Sequence, residues 1–390
     1  MTVEYCSLVG KGLKLNTAAD VAEYVAEIEA LEGLTVVRLG GNTFGVEAAR
    51  AIAAALKAKD QLKVIGFSDM FTGRLKDEIP LALEAFVEAF EDKKFLVDLD
   101  LSDNAFGPAG AKPLMRLLIN NRNIETLRLN NNGLGIEGGR LVSEALVEAQ
   151  TLNEAEGRRS SLKVVIFGRN RLESAGARHL AKAFRAHKES LQAVRMPQNS
   201  IRPEGVSGLL AALRTCSNLE HLDLQDNTFT REGSLALASA IQHWPNLRVL
   251  DIGDCLLKTF GGGAIISALT MGSTKLEELN MSFNEIKEEA AVLIVTMLVN
   301  KTSITSLQLN GNIFTNDCDA VEGIRQILSS HGKGDALDEL DEMEEEDEGD
   351  QEGDDPDGHV LVPTSGPAED DSDNDLDDLT AAVGGLSVQK

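Results

Sequence analysis

A short pattern, Leu-x-Leu-x-x-Asn, keeps returning and limits the folds open to this chain more than any other feature. It stands at Leu99–Asn104, Leu127–Asn132, Leu222–Asn227, Leu279–Asn284 and Leu307–Asn312. Looser copies end at Asn42, Asn170 and Asn199, and two more replace the final Asn with Met70 and Cys255. A degenerate first copy is expected at Leu13–Leu15. The final positions are spaced 28, 34, 28, 38, 29, 28, 28, 29 and 28 residues apart. Alternate side chains of a strand face one way, so the two apolar residues of each copy point into a core. Burying each fully is worth about 1.5–3 kcal/mol. The Asn amide closes the turn by pairing backbone groups that would otherwise each cost about 1–3 kcal/mol if buried alone. Cys255 gives a weaker version of that bond, and Met70 cannot donate one.

Between the copies lie stretches of good helix formers with apolar residues at helical spacing. They are Val46–Lys57, Gly110–Ile119, Gly138–Ala149, Ala175–Ala186, Gly205–Leu213, Gly233–Gln242 and Glu288–Val299. One strand and one helix per 28–29 residues is the leucine-rich repeat. The expected fold class is therefore α/β, a horseshoe solenoid of about eleven repeats resembling the ribonuclease-inhibitor class. Strands line its concave face and helices its convex face. Gly261–Gly263 reads as a tight turn between strand and helix.

Charge divides the chain. Residues 335–390 hold 22 acidic side chains and one basic one, Lys390, whereas residues 1–334 hold 41 and 36. The expected organisation is a repeat domain over 1–334 and an acidic, disordered tail over 335–390. Ser372, among aspartates, has the look of an acidophilic-kinase site. A net charge of −26 argues against nucleic-acid binding, which needs a basic surface, and against an anionic membrane. The longest apolar run, Ala290–Val299, is half the length of a spanning helix, and the N-terminus has no signal-peptide pattern. Four scattered cysteines (Cys6, Cys216, Cys255 and Cys318) lack metal-ligand spacing and read as reduced thiols in a cytosolic protein. The six histidines form no motif, and no P-loop is present, so the chain does not itself cradle a nucleotide.

Insertions in a repeat array fall in loops on one face. The 38-residue unit carries the polar stretch 153–161. The 34-residue unit carries Phe71–Pro80, which puts Arg74, Lys76, Asp77 and Glu78 on one rim. Together, Phe67–Pro80, Leu101–Pro108, Asn131–Gly135, Gly168–Leu172 and Leu224–Thr230 resemble, in order and spacing, the GTPase-activating proteins for Ran. The resemblance runs from Gly10–Leu15 to the acidic tail. With no targeting domain after that tail, the arrangement is similar to the fungal one.

The resemblance implies a protein that binds Ran in its GTP form along one edge of the horseshoe and accelerates hydrolysis in trans, without being a GTPase itself. Other small-GTPase activators insert an arginine finger. This family is understood instead to order the GTPase's own glutamine, through an asparagine at the position matching Asn131. Register agrees with that role. Asn131 precedes the ladder residue Asn132 and is equivalent to Asp103, Arg169, Gln198, Asp226 and Asp254, which vary and should project to the rim. Arg74, Lys76, Asp77, Asp103, Arg169, Asp226 and Asp254 are the expected Ran-binding residues, with Arg74 on the binding edge and not a finger. The implied protein needs no cofactor or metal of its own, since GTP and magnesium sit on the partner. It is a cytoplasmic monomer serving nuclear transport, with a Ran-binding accessory protein left open. The alternative is a non-catalytic acidic leucine-rich-repeat scaffold. A hydrolase acting on its own substrate lacks any nucleophile–base pair or metal cluster in the sequence.

Overall fold

A computed structural model describes residues 4–343. The expectation for Ser372, and that of a disordered tail beyond residue 343, lie outside the described residues. Strands from Glu4–Ser7 to Ser306–Gln308 form one eleven-stranded parallel sheet, ordered as they occur in the chain. The repeats are exactly in phase where the core needs them: Leu99 pairs opposite Leu127, Leu127 opposite Val165, and Leu222 opposite Leu250. All of these are fully buried. Neighbouring strands sit about 4.8 Å apart, whereas packed helices need about 8–10 Å. A stack with strands on one side and helices on the other must therefore curve, with the helices outside.

The first coil differs from expectation. Cys6 pairs opposite Val37, so Cys6 and Leu8 are its inward residues, each 1% exposed. Lys14–Leu15 pairs with Thr43–Phe44 in a separate two-stranded sheet. The sequence disguises this coil because Cys6 replaces the leucine and Lys11 falls where Asn42 stands in the next copy.

The expected helices form, most of them starting two or three residues earlier, as in Gly107–Asn120 and Glu173–Ala186. Helices also form over Ala22–Ala30, Glu78–Phe90, Lys258–Met271 and Asp319–Ser330, which the sequence reading did not single out. The stretch 153–161 is only partly a loop, because the helix Gly135–Ala155 runs into it. Gly261–Gly263 is not a turn. It lies inside Lys258–Met271 and is buried. A Cβ on Gly262 would come within 2.9 Å of Ile286 Cδ1, so glycine here lets the helix approach the next coil closely.

The asparagine ladder is nearly continuous. The backbone N–H of Asn104 donates to Oδ1 of Asn132 (2.9 Å), that of Asn132 to Asn170 (3.0 Å), that of Asn170 to Asn199 (3.0 Å), and that of Asn199 to Asn227 (3.2 Å). Each Nδ2 donates to carbonyls of its own turn or of the coil before, as Asn170 does to Leu129 and Phe167. At Cys255 the thiol donates to Leu224 O at 3.4 Å, and the ladder resumes from Asn284 to Asn312.

A second column of donors runs along the opposite edge, where helices return to strands. Lys59 Nζ donates to Glu29 O and Leu31 O, Lys93 Nζ to Lys57 O, and Asn121 Nδ2 to Phe90 O and Lys93 O. Trp244 Nε1 donates to Leu213 O, and Lys301 Nζ to Gly272 O. These bonds satisfy carbonyls that helix ends leave open. Burial lowers the pKa values of the Lys93 and Lys301 ammonium groups.

Residues 335–343, assigned by charge to the tail, cover the last coil. Asp338 accepts the backbone N–H groups of Leu309 and Asn310, which have no further strand to pair with, and Leu340 is buried.

Candidate functional site

The residue before each ladder position takes the left-handed backbone conformation. Its φ is +50° at Asp69, +61° at Asp103, +51° at Asn131, +56° at Arg169, +52° at Gln198, +54° at Asp226, +51° at Asp254 and +55° at Phe283. Gly41 and Gly311 do the same in their coils. That conformation lets the backbone N–H reach the next coil: Asp103 donates to Asn130 O, Asn131 to Gly168 O and Arg169 to Pro197 O, at 2.8–2.9 Å. Such a backbone costs an ordinary L-residue roughly 1–2 kcal/mol, less for Asn and Asp. It also turns the side chain out of the coil. Asp103, Arg169, Gln198, Asp226 and Asp254 are exposed and Asn131 is half-buried. Asp69, Gln198 and Phe283 belong to this row but were not selected as site residues from sequence. The rule that finds them is positional, one residue before the ladder.

Asn131 is held from the preceding coil. Its Nδ2 donates to Oδ1 of Asp103 at 2.9 Å. An ionised carboxylate only accepts, so the amide nitrogen must face Asp103, and the amide oxygen faces away from it.

Arg74 occupies a different setting from its neighbours. Its Nε donates to Thr43 Oγ1 (2.8 Å), Nη1 to Asn16 Oδ1 (2.6 Å), and Nη2 to Leu15 O (3.1 Å) and Thr43 O (3.0 Å). The guanidinium thus pins the inserted loop to the small two-stranded sheet. Phe71 anchors the loop's start in the core, while Lys76 and Asp77 are exposed and Leu75 is 70% exposed. Glu78 opens the following helix.

The concave face beside this edge carries charges that no motif in the sequence marks. They occupy the x of Leu-x-Leu or the residue before the motif. Arg128 pairs with Asp98, and Arg195 with Asp223 at 3.2 Å. Asp223 is 1% exposed, and burial raises its pKa although Arg195 opposes this. Asp251, on the adjacent strand, is raised to about 6 by burial and by the Asp223 carboxylate. His221 is lowered to about 4 by burial and by Arg195. The thiols of Cys6 and Cys216 are pushed up to about 11 by burial, and that of Cys255 higher still. Such thiols are poor nucleophiles. Among the described residues no three His, Cys, Asp or Glu side chains gather as a metal site, and no helix is long and apolar enough to cross a membrane.

The family model described as "Leucine Rich repeat" matches residues 93–115, 120–143, 215–238 and 272–295. Among curated proteins, the Ran GTPase-activating protein 1 of Xenopus laevis is 46% identical over 327 residues, covering 83% of this chain and 56% of that protein. The Ran GTPase-activating protein 1 of Saccharomyces cerevisiae is 35% identical over 326 residues, covering 81% and 80%. The Ran GTPase-activating protein of Drosophila melanogaster is 42% identical over 331 residues, covering 84% and 54%. The chain thus spans little more than half the length of the frog and fly relatives and four-fifths of the yeast one.

Proposed function

The chain belongs to the family of Ran GTPase-activating proteins, and we propose that it accelerates hydrolysis of Ran-bound GTP in trans, with Asn131 as the residue that meets the reacting centre. The observation that carries this reading is the Asn131 carboxamide: on the loop edge, with its nitrogen tethered to Asp103 and its oxygen turned away. Ran's own glutamine holds the attacking water. An amide oxygen fixed at the edge accepts from that glutamine's NH₂ and leaves the glutamine's other atoms to orient the water. The acceleration then comes from positioning and from electrostatic organisation established before the partner arrives. GTP and its magnesium ion belong to the partner.

On this reading Arg74 is not an inserted finger. A finger needs a guanidinium free to reach the γ-phosphate, and this one makes four hydrogen bonds within the chain. Arg74 instead sets the loop that presents Lys76 and Asp77 to Ran. Asp103, Arg169, Asp226 and Asp254 extend the binding edge. We place the activity in the cytoplasm, where the family's role in transport requires Ran-GTP to be discharged.

The test is hydrolysis by Ran-GTP with substoichiometric amounts of the full chain. Wild type should turn over many Ran molecules. Asn131→Ala should lose most of the acceleration while binding Ran-GTP within about threefold of wild type, an effect on the barrier and not on affinity. Stoichiometric binding without acceleration by the wild type would favour the scaffold reading instead, and full activity in Asn131→Ala would remove the assignment of that residue.

A further inference from the structure

Phe283 holds the same position in its coil as Asn131 does in its own, with a left-handed backbone (φ +55°), and it is 48% exposed. Every other residue of the row is Gly, Asp, Asn, Gln or Arg. A bulky aromatic gains nothing from this backbone conformation and is a true outlier there. The ring lies across Gly311 of the next coil so closely that any Cβ at 311 would overlap it. Two positions are therefore adapted to one ring: Phe283 accepts a strained backbone, and Gly311 gives up its side chain. On the preceding coil Leu256 is also left-handed (φ +54°) and 37% exposed. Charged Asp254 and Glu285 hold the equivalent positions in the two coils and are exposed, Glu285 with Lys258 Nζ at 3.9 Å. An apolar centre with a charged surround is the layout of an interface anchor, and strained residues collect where a surface meets a ligand.

We propose that Phe283 is a second anchor for the same GTPase, seated on an apolar patch of Ran remote from its nucleotide and bordered by a basic side chain that meets Asp254. This rests on the reading of the preceding subsection. The occupant follows from reach. Asn131 and Phe283 share one row on one sheet, and five strand spacings separate their coils, which is about 24 Å along the edge. Compact domains of roughly 100–200 residues have radii of gyration of about 13–16 Å and are about 30–40 Å across. A GTPase whose glutamine rests on Asn131 therefore spans the distance to Phe283 with no second partner.

The experiment is steady-state activation of Ran-GTP hydrolysis by the full chain carrying Phe283→Asn or Phe283→Tyr, with thermal unfolding of each. Asparagine removes the ring and suits the left-handed backbone. The expected result for Phe283→Asn is a KM for Ran-GTP at least tenfold higher, kcat within twofold, and an unfolding midpoint unchanged or raised. Phe283→Tyr should hold KM within twofold. If Phe283→Asn left KM within twofold of an active wild type, the anchor would be refuted while the activity stood. A midpoint several degrees lower would also overturn it, by showing that the ring serves the fold. A wild-type chain that did not accelerate Ran at all would remove the parent reading and this one with it.

Discussion

Asn131 and Asp103 hold equivalent positions in consecutive coils, and a 2.9 Å hydrogen bond from the Asn131 Nδ2 to the Asp103 Oδ1 joins them across the stack. The repeat itself builds this pair: the strand register sets Leu99 opposite Leu127, and four residues further on it sets Asp103 beside Asn131. The bond chooses which end of the amide looks outward. Without it the carboxamide could turn over and present its NH₂ to the partner.

Asp103 should accordingly act on catalysis through Asn131. One hydrogen bond of orientation is worth about 0.7–1.4 kcal/mol here, or roughly three- to tenfold in rate. Asp103→Gly, which suits the left-handed backbone, should lower kcat by that factor, in addition to the rise in KM that its place on the binding edge brings. Asp103→Asn, whose amide oxygen still accepts, should recover at least half of wild-type kcat. A rise in KM with kcat unchanged in Asp103→Gly would assign this residue to binding alone.

Arg74 should behave as a fastener. Arg74→Ala should raise KM for Ran-GTP, and should speed amide hydrogen exchange over residues 13–16 and 43–45, which its guanidinium now ties together. Arg74→Lys should not rescue either property, since an ammonium cannot reproduce the planar fork. A KM effect with unchanged exchange would mean that the side chain leaves its berth to touch Ran directly.

Adjacent residues should have opposite fates at position 169/170. Asn170→Ala deletes an acceptor for Asn132 and donors to Leu129 and Phe167 in a fully buried slot. It should lower stability by about 2–4 kcal/mol. Arg169→Ala, exposed at the edge, should stay within about 0.5 kcal/mol while weakening Ran binding. Denaturant titration of both variants checks the stability claim, and similar losses for the two would refute the division between ladder and edge.

The concave-face carboxylates make a pH-dependent prediction. The folded-state pKa of Asp251, about 6, lies above its ordinary value of 3.8. Its charge therefore destabilises the fold fully above pH 6, progressively less as pH falls from 6 towards 3.8, and not at all below. Asp251→Asn should stabilise the chain by about 1–2 kcal/mol at pH 7.5, discounted for partial exposure, and by nothing at pH 3.5. His221 runs oppositely in the wild type. Its pKa is lowered to about 4, so the unfolded state gains the proton first and stability falls as pH drops from about 6.5 towards 4. Thermal midpoints of wild type and Asp251→Asn across this range test the sign, and an Asp251→Asn gain that grew on acidification would be fatal to the account.

The array of coils could be read from sequence because each one repeats the same burial problem and the same solution, Leu-x-Leu-x-x-Asn. The first coil could not, since Cys6 and Lys11 erase both signals and only pairing with Val37 reveals it. Gly261–Gly263 misleads because glycine spells both a turn and a close helix approach, and only the neighbouring Ile286 decides. Register alone also placed Asn131, Asp103 and Arg169 at the edge. The partners of Arg74 were out of reach, because Asn16 and Thr43 are brought to it by a two-stranded sheet that no repeat pattern announces. Charge density groups residues 335–343 with the tail and hides their role: the last coil leaves backbone N–H groups without a following strand, and the Asp338 carboxylate accepts two of them.

The left-handed turn before each ladder residue exists so that coils can stack, yet it also filters chemistry. Backbones of that hand admit glycine, asparagine and aspartate most readily, so an edge built this way is stocked with amides and carboxylates before any partner is considered. A protein with such an edge comes by an amide-based way of organising a neighbour's water far more easily than a long cationic side chain thrust into a foreign pocket. The architecture favours the mode of action proposed for Asn131.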